Sequence, residues 1–345
     1  MHFLSVVPRA ALAILLGGAP AVGAADSPAG DWASPIGRDH PLAGRIWLPD
    51  RHRFIDPPDA VAMLRGARFV LLGEKHDNID HHRLQAWLVR EIAARRQPAI
   101  ALEAITTRQI PALQAFLARQ PGSANGIGAA LDWDRTGWPA WRHYAPIVQP
   151  VLEQGGPVLA ATPPRALLRA VATRGVAALP ADRIRALGLD ADLPPAARAV
   201  LEREIVEGHC GQLPAAMTGP MVDVQRVKDA IMAEALIEGA AAPGRDLAVL
   251  IAGTGHARRD HGVPWHLARL APKAALGAAT VALGFVEVRS GRSDPASYAD
   301  DFGAAHLPFD IVWFTPRVDD ADPCAVHEEE LRRSRERRSA PAPKR

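Results

Sequence analysis

Cysteine is nearly absent from this sequence: Cys210 and Cys324 are the only two. A disulfide-stapled scaffold and a cysteine-based metal motif are therefore excluded. The pair is too far apart in sequence to reveal its geometry, so a disulfide and two free thiols stay equally open. Aromatic residues make up only 5% of the chain, and tyrosine occurs twice, at Tyr144 and Tyr298. There is no Gly-x-Ser-x-Gly elbow, Walker loop, dinucleotide fingerprint or His-Glu-x-x-His, which removes the commonest hydrolase, nucleotide and zincin signatures. The single His327-Glu-Glu-Glu stretch lacks a second histidine. No apolar run reaches the length of a membrane span. Net charge is only +2, and the stretch from Pro323 to Arg345 carries seven Lys/Arg against four Glu. The body of the chain is slightly acidic, so no nucleic-acid-binding face is implied.

What is present suits a large globular fold, with 48% hydrophobic and 23% charged residues. The N-terminus has Arg9, an apolar Ala10–Leu16 core and a small-residue site at Val22-Gly23-Ala24. This predicts a signal peptide over 1–24 and export to the periplasm. No cysteine stands near that site, so a lipid anchor is not expected. Residues 25–315 read as one α/β domain, and 316–345 as a charged, disordered tail. Apolar strands are expected at Phe69–Leu72, Ala99–Leu102, Val158–Ala161, Leu247–Ala252, Thr280–Val288 and Asp310–Phe314, with a shorter one near Gly44–Leu48. Helices are expected between them, including Asp80–Arg95, capped by Asp80, and Met221–Glu238. Residues Pro180 to Pro220 read as a helical insertion. The fold class is a three-layer α/β/α sandwich on a mostly parallel sheet.

The pattern strand-Gly-x-x-His occurs twice. Gly73-Glu-Lys-His76 follows FVLL, and Gly253-Thr-Gly-His256 follows LAVLIA. Glu103 ends a third strand. In parallel α/β sheets such strand ends gather at one edge, where ligands bind. Two His with Glu74 and Glu103 form a plausible ligand set for Zn, Mn or Fe. Glu74 or His76 serves equally as a metal-free general base. A haem pocket with an axial Tyr or His and arginine partners is the third option. His81 falls on the apolar stripe with Leu84, Leu88 and Ile92, and reads as a pocket group or as a core histidine. His82, turned about 100° away, reads as a rim contact. Trp133, Trp138 and Trp141 suit wall and core. Arg165 suits an anion or an ion pair with Glu103.

LLGEKHDNIDHHRLQ, the ALEA strand end, WDRTGWPAWRHYAPIV, VLAATPPR, VQRVKDAIMAEAL and IAGTGHARRDHGVPWHLA together resemble the ChaN family of haem-binding, iron-regulated proteins. That family groups with erythromycin esterase-like and Tiki/TraB-like proteins. The resemblance runs from Phe69 to Ala268. It implies haem as cofactor and an exported protein in haem or iron uptake. It also implies a homodimer and association with the outer membrane or a haem-uptake system. Tyr144, the tyrosine inside a matching block, is then the expected haem-iron ligand, with His76, His81, His256 and Arg165 around the haem. The esterase-like and Tiki-like relatives imply the alternative, a metal-dependent esterase or peptidase using His76, His256, Glu74 and Glu103. The chain departs from the pattern in lacking a lipobox cysteine and in having Thr162 where an asparagine is expected.

Overall fold

The computed structural model describes residues 27–272 and 279–322, together with 324–326, 328, 329, 332 and 333. The expected signal segment lies outside the described residues. Eight strands form one sheet: β1 Ile46–Leu48, β2 Arg53–Ile55, β3 Phe69–Glu74, β4 Pro98–Thr106, β5 Val158–Thr162, β6 Leu247–Gly253, β7 Thr280–Glu287 and β8 Ile311–Thr315. Their order is β2-β1-β8-β7-β3-β6-β4-β5. The six strands from β8 to β5 are parallel to their neighbours, and β1 and β2 add an antiparallel edge. The helices are α1 Pro57–Gly66, α2 Ile79–Ala93, α3 Ile110–Arg119, α4 Ile127–Ala130, α5 Trp141–Glu153, α6 Arg165–Arg174, α7 Ala181–Ala186, α8 Pro195–Gly208, α9 Ala215–Ala241, α10 Thr254–Ala257 and α11 Val263–Leu270.

Side chains alternate across the strands, so each strand feeds two cores. Val70, Leu72, Ile100, Leu102, Val249 and Ile251 face one way, against Leu84 and Leu88 of α2 and Ile147 and Val151 of α5. Phe69, Leu71, Ala99, Ala101, Ala248 and Leu250 face the other, against Met232 and Leu236 of α9 and Leu267 of α11. The second face is alanine-rich for a reason. A Cβ on Gly239 of α9 would stand 2.8 Å from Leu159 Cδ1 and 2.9 Å from Ala99 Cβ. Small residues on both sides let the helix lie against the sheet. Eleven residues earlier on α9, about 16 Å along the axis, Lys228 and Asp229 reach the carboxyl edge of the strands. α7, α8 and the start of α9 form the insertion, with small apolar clusters of their own around Leu187 and Leu201.

Several local expectations are corrected. Asp80 does not cap α2. Asn78 does, accepting from Asp80 N at 3.0 Å, while the Asp80 carboxylate accepts from Ala33 N and Ser34 N, both at 2.8 Å. The buried Asp80 thus ties down the N-terminal arm, a long-range task that no local pattern encodes. α9 begins at Ala215 and continues through Pro220, whose missing N–H costs the helix one backbone hydrogen bond. The chain also does not leave the fold after Thr315. Arg317 pairs with Ile36 in an antiparallel bridge, and Cys324 is joined to Cys210.

Candidate functional site at the carboxyl edge of the sheet

β6 lies between β3 and β4, so Glu74 and Glu103 are not on neighbouring strands. They flank the end of β6, from which α10 rises with His256. Gly73 is required here: a Cβ would stand 2.9 Å from Ala257 Cβ and 3.1 Å from Thr254 Cα. Its absence lets α10 settle over the end of β3. The two Gly-x-x-His turns therefore meet, as adjacent strands should make them do.

Glu103 is buried and uses both oxygens. Oε1 accepts from Lys228 Nζ at 2.9 Å and lies 3.1 Å from His256 Nε2, and Oε2 accepts from Gly253 N at 2.9 Å. On its other side the His256 ring meets Asp229 Oδ1 through Nδ1 at 2.5 Å. Gln225 Nε2 lies 3.0 Å from the same Nδ1. Burial works against a charge on His256, but Glu103 and Asp229 overcome burial and Lys228 and raise its pKa to about 9. Burial likewise opposes the charge on Glu103, yet His256 and Lys228 hold its carboxyl well below the usual range. Burial raises Asp229 despite His256. The result is a compact chain of alternating charge under the sheet edge.

Glu74 starts a second, more open unit. Its Oε1 lies 2.9 Å from His76 Nδ1 and 3.4 Å from the Tyr144 hydroxyl. His76 is the accessible member, with its side chain 40% exposed and its Nε2 3.8 Å from Glu103 Oε2. Trp138 stands edge-on to His76, ring centroids 4.5 Å apart. A carboxylate on one imidazole nitrogen fixes the tautomer and leaves the other nitrogen for chemistry. His82 is not a rim contact: it is buried, with Nε2 2.9 Å from the His76 carbonyl and its ring 4.7 Å from that of Tyr144. His82 Nδ1 and Glu74 Oε2 are buried 3.5 Å apart, and neither makes a hydrogen bond among the described residues.

Two expected pocket groups lie elsewhere. His81 is a core histidine: its Nδ1 accepts from Lys75 N at 2.9 Å, its Nε2 meets Thr315 Oγ1 at 2.8 Å, and its ring stacks on Phe285. Burial, helped by His82 and Lys75, pushes its pKa well down. Arg165 is exposed and donates to the Thr136 carbonyl at 3.2 Å, making no ion pair with Glu103 among the described residues. Lys228 is the site residue that sequence patterns do not reveal. Gln225 and Asp229 share a face of α9 by spacing, but only the depth of α9 against the sheet shows that Lys228 reaches Glu103.

This donor set fits a metal ion poorly. The Lys228 ammonium already lies 2.9 Å from both Glu103 Oε1 and His256 Nε2, where a bound cation would stand. Among the described residues no group of three or more His, Cys, Asp or Glu is placed to hold a metal.

Fold and site together define a three-layer α/β protein with a histidine–carboxylate cluster at the carboxyl edge of a parallel sheet. The family model described as "Haem-binding uptake, Tiki superfamily, ChaN" matches residues 60–267, and the chain belongs to that family. Among solved structures, one titled "Cofacial heme binding to ChaN of Campylobacter jejuni" shares 21% identity, with 78% of this chain and 95% of that chain covered at a TM-score of 0.58. A mutant of the erythromycin esterase EreC, in its open conformation, aligns at 14% identity over 81% of this chain and 99% of that chain, with a TM-score of 0.41. No curated protein matches the chain.

Proposed function

We propose that this chain is an exported haem-binding protein acting in haem and iron uptake. The observation that carries the reading is the family match over residues 60–267, which spans the whole cluster from Glu74 to His256. Export is favoured by the Cys210–Cys324 bond, since such bonds persist in oxidising compartments, and by the pattern of the first 24 residues. No helix among the described residues is long and apolar enough to cross a membrane. Dimer formation and attachment to an outer-membrane uptake system belong to the same proposal.

Tyr144, the ligand expected from the family, fits an iron poorly as it stands. It is 1% exposed and enclosed by Trp133, Trp138, Trp141 and His82. Burial and the neighbouring Glu74 push its pKa up, away from the phenolate that ferric iron binds. Tyr298 is no substitute, because its hydroxyl accepts from Arg289 N and donates to the Arg292 carbonyl. A strain lacking this chain, grown on haem as sole iron source, tests the uptake role: growth indistinguishable from the parent strain contradicts it.

The Glu74–His76 pair favours a second reading, a hydrolase in which His76 is the general base. Hydrolysis of model esters that is abolished in His76→Ala supports it, and equal rates in the two proteins reject it.

A further inference from the structure

α2 and α5 lie side by side, and a cleft of about 330 Å³ runs between them on the flank of the molecule. That volume suits a compact ligand. α2 contributes Arg83 and Arg90 to one wall, α5 contributes Arg142 and His143 to the other, and no acidic residue lines the cleft. Arg83 and Arg90 are two helical turns apart, so both lie on the same face of α2. Arg83 is already committed to Asp31 and Asp80. Arg90 and Arg142 are exposed and make no ion pair or side-chain hydrogen bond among the described residues. The His143 ring likewise makes no hydrogen bond among the described residues. It stands 6.0 Å, centroid to centroid, from the ring of the buried His82, which also lines the cleft. Two uncompensated guanidinium groups over one small cavity repel each other, and an anion between them removes that repulsion. Both helices begin at the cleft, and the partial positive charge of their first turns adds to that of the side chains.

We infer that this cleft binds a phosphate group, with Arg90 and Arg142 gripping it from opposite walls and His143 as a further donor. The inference goes beyond the haem reading and does not depend on it. Shape decides for phosphate over carboxylate. A carboxylate is planar and offers one edge, which a single guanidinium fork covers. A phosphate spreads its oxygens tetrahedrally, so guanidinium groups from two walls can each take a pair. The rest of the ligand is small or leads out of the cleft, and it meets apolar surface. Pro28, Ile79 and Pro146 line the cleft beside the cations, and Ile79 is one of two large hydrophobic residues left exposed among the described residues. A phosphorylated small alcohol has this chemistry. The phosphate headgroup of a lipid has it too, with its chains continuing past Ile79. The two share the phosphate and differ only in what lies beyond it.

Isothermal titration calorimetry of the full-length protein at low ionic strength, with inorganic phosphate, glycerol phosphate and glycerol, tests for a soluble ligand. Co-sedimentation with phosphatidylcholine vesicles, with and without phosphatidic acid, tests for a headgroup. Both are run on the parent, on Arg90→Gln/Arg142→Gln, and on a control of equal net charge, Arg169→Gln/Arg174→Gln, on α6. All these arginines are exposed, so neither change reaches the core. Loss of two charge-assisted contacts weakens binding by roughly tenfold or more. The inference expects saturable binding of a phosphate probe by the parent, weakened by that factor in the cleft variant and kept in the control, with no binding of glycerol. Binding of a soluble phosphate probe identifies a soluble ligand, and binding confined to vesicles containing phosphatidic acid identifies a headgroup. The inference is overturned if the parent binds no probe, if the cleft variant binds as the parent does, or if the control loses as much. Hemin is absent from every arm, so such a result leaves the haem reading as it stands.

Discussion

Replacing Glu103 by Gln should be among the most costly single substitutions outside the apolar core. Its Oε1 faces the Lys228 ammonium and the His256 imidazolium, and its Oε2 takes the Gly253 N–H. The substituted amide would keep one acceptor for Gly253, but its nitrogen could not compensate two nearby positive charges. Removing one partner of a buried ion pair costs about 3–5 kcal/mol, because the other charge stays buried and unpaired. Lys228 is partly solvated, with 19% of its side chain exposed, so the low end, about 3 kcal/mol, is expected. Urea unfolding at pH 7, followed by tryptophan fluorescence, reads this as a lower midpoint at unchanged slope. Pairing the change with Lys228→Met should recover part of the loss, since one uncompensated charge goes too. By NMR, His256 should titrate well below its parental value of about 9, because burial and Lys228 would then be opposed by Asp229 alone. A stability loss below about 1 kcal/mol with His256 still near its parental value would refute the account, because surface pairs alone give that little.

Three further outcomes follow from the same structure. His256, raised to about 9, contributes about 3 kcal/mol that is fully present below pH 6.5 and disappears as pH rises through 9. His81, lowered, and His266, lowered to about 3, act on the other side: their neutral folded forms cost stability as pH falls below 6.5. Urea midpoints against pH should therefore peak near neutrality, and a plateau from about pH 7 to 9.5 would contradict the His256 assignment. Gly239→Val should destabilise by roughly 1–3 kcal/mol, the cost of overpacking, because its Cβ alone would stand under 3 Å from Leu159 and Ala99; an unchanged midpoint would show that α9 is free to move away. Cys324→Ser should lower stability by roughly 2–4 kcal/mol under oxidising conditions and by nothing in excess reductant.

The parallel part of the sheet is legible in the sequence because its strands are largely continuous apolar runs, the pattern of strands buried on both faces. The two Gly-x-x-His turns and Glu103 are legible for the same reason: strand ends of a parallel sheet share an edge. What stays hidden depends on depth and partners. β2 escapes a reading of the sequence because Arg53 and Phe54 look like part of a polar arm, and only pairing with β1 makes them a strand. His81 and His82 are adjacent on α2, and neither role follows from its helical face alone. His81 is claimed by Lys75 N and Thr315, and His82 by the His76 carbonyl beside Tyr144. The disulfide is equally hidden, because it joins the α8–α9 turn to the tail across the fold.

The most direct test of haem binding is a hemin titration of the purified full-length protein, monitored in the Soret region. The account predicts a saturable shift with an affinity tighter than about 1 μM, and transfer of the bound hemin to apomyoglobin at a finite, single rate. A spectrum that changes without saturating, at an affinity no better than that of a nonspecific albumin-like binder, would contradict it.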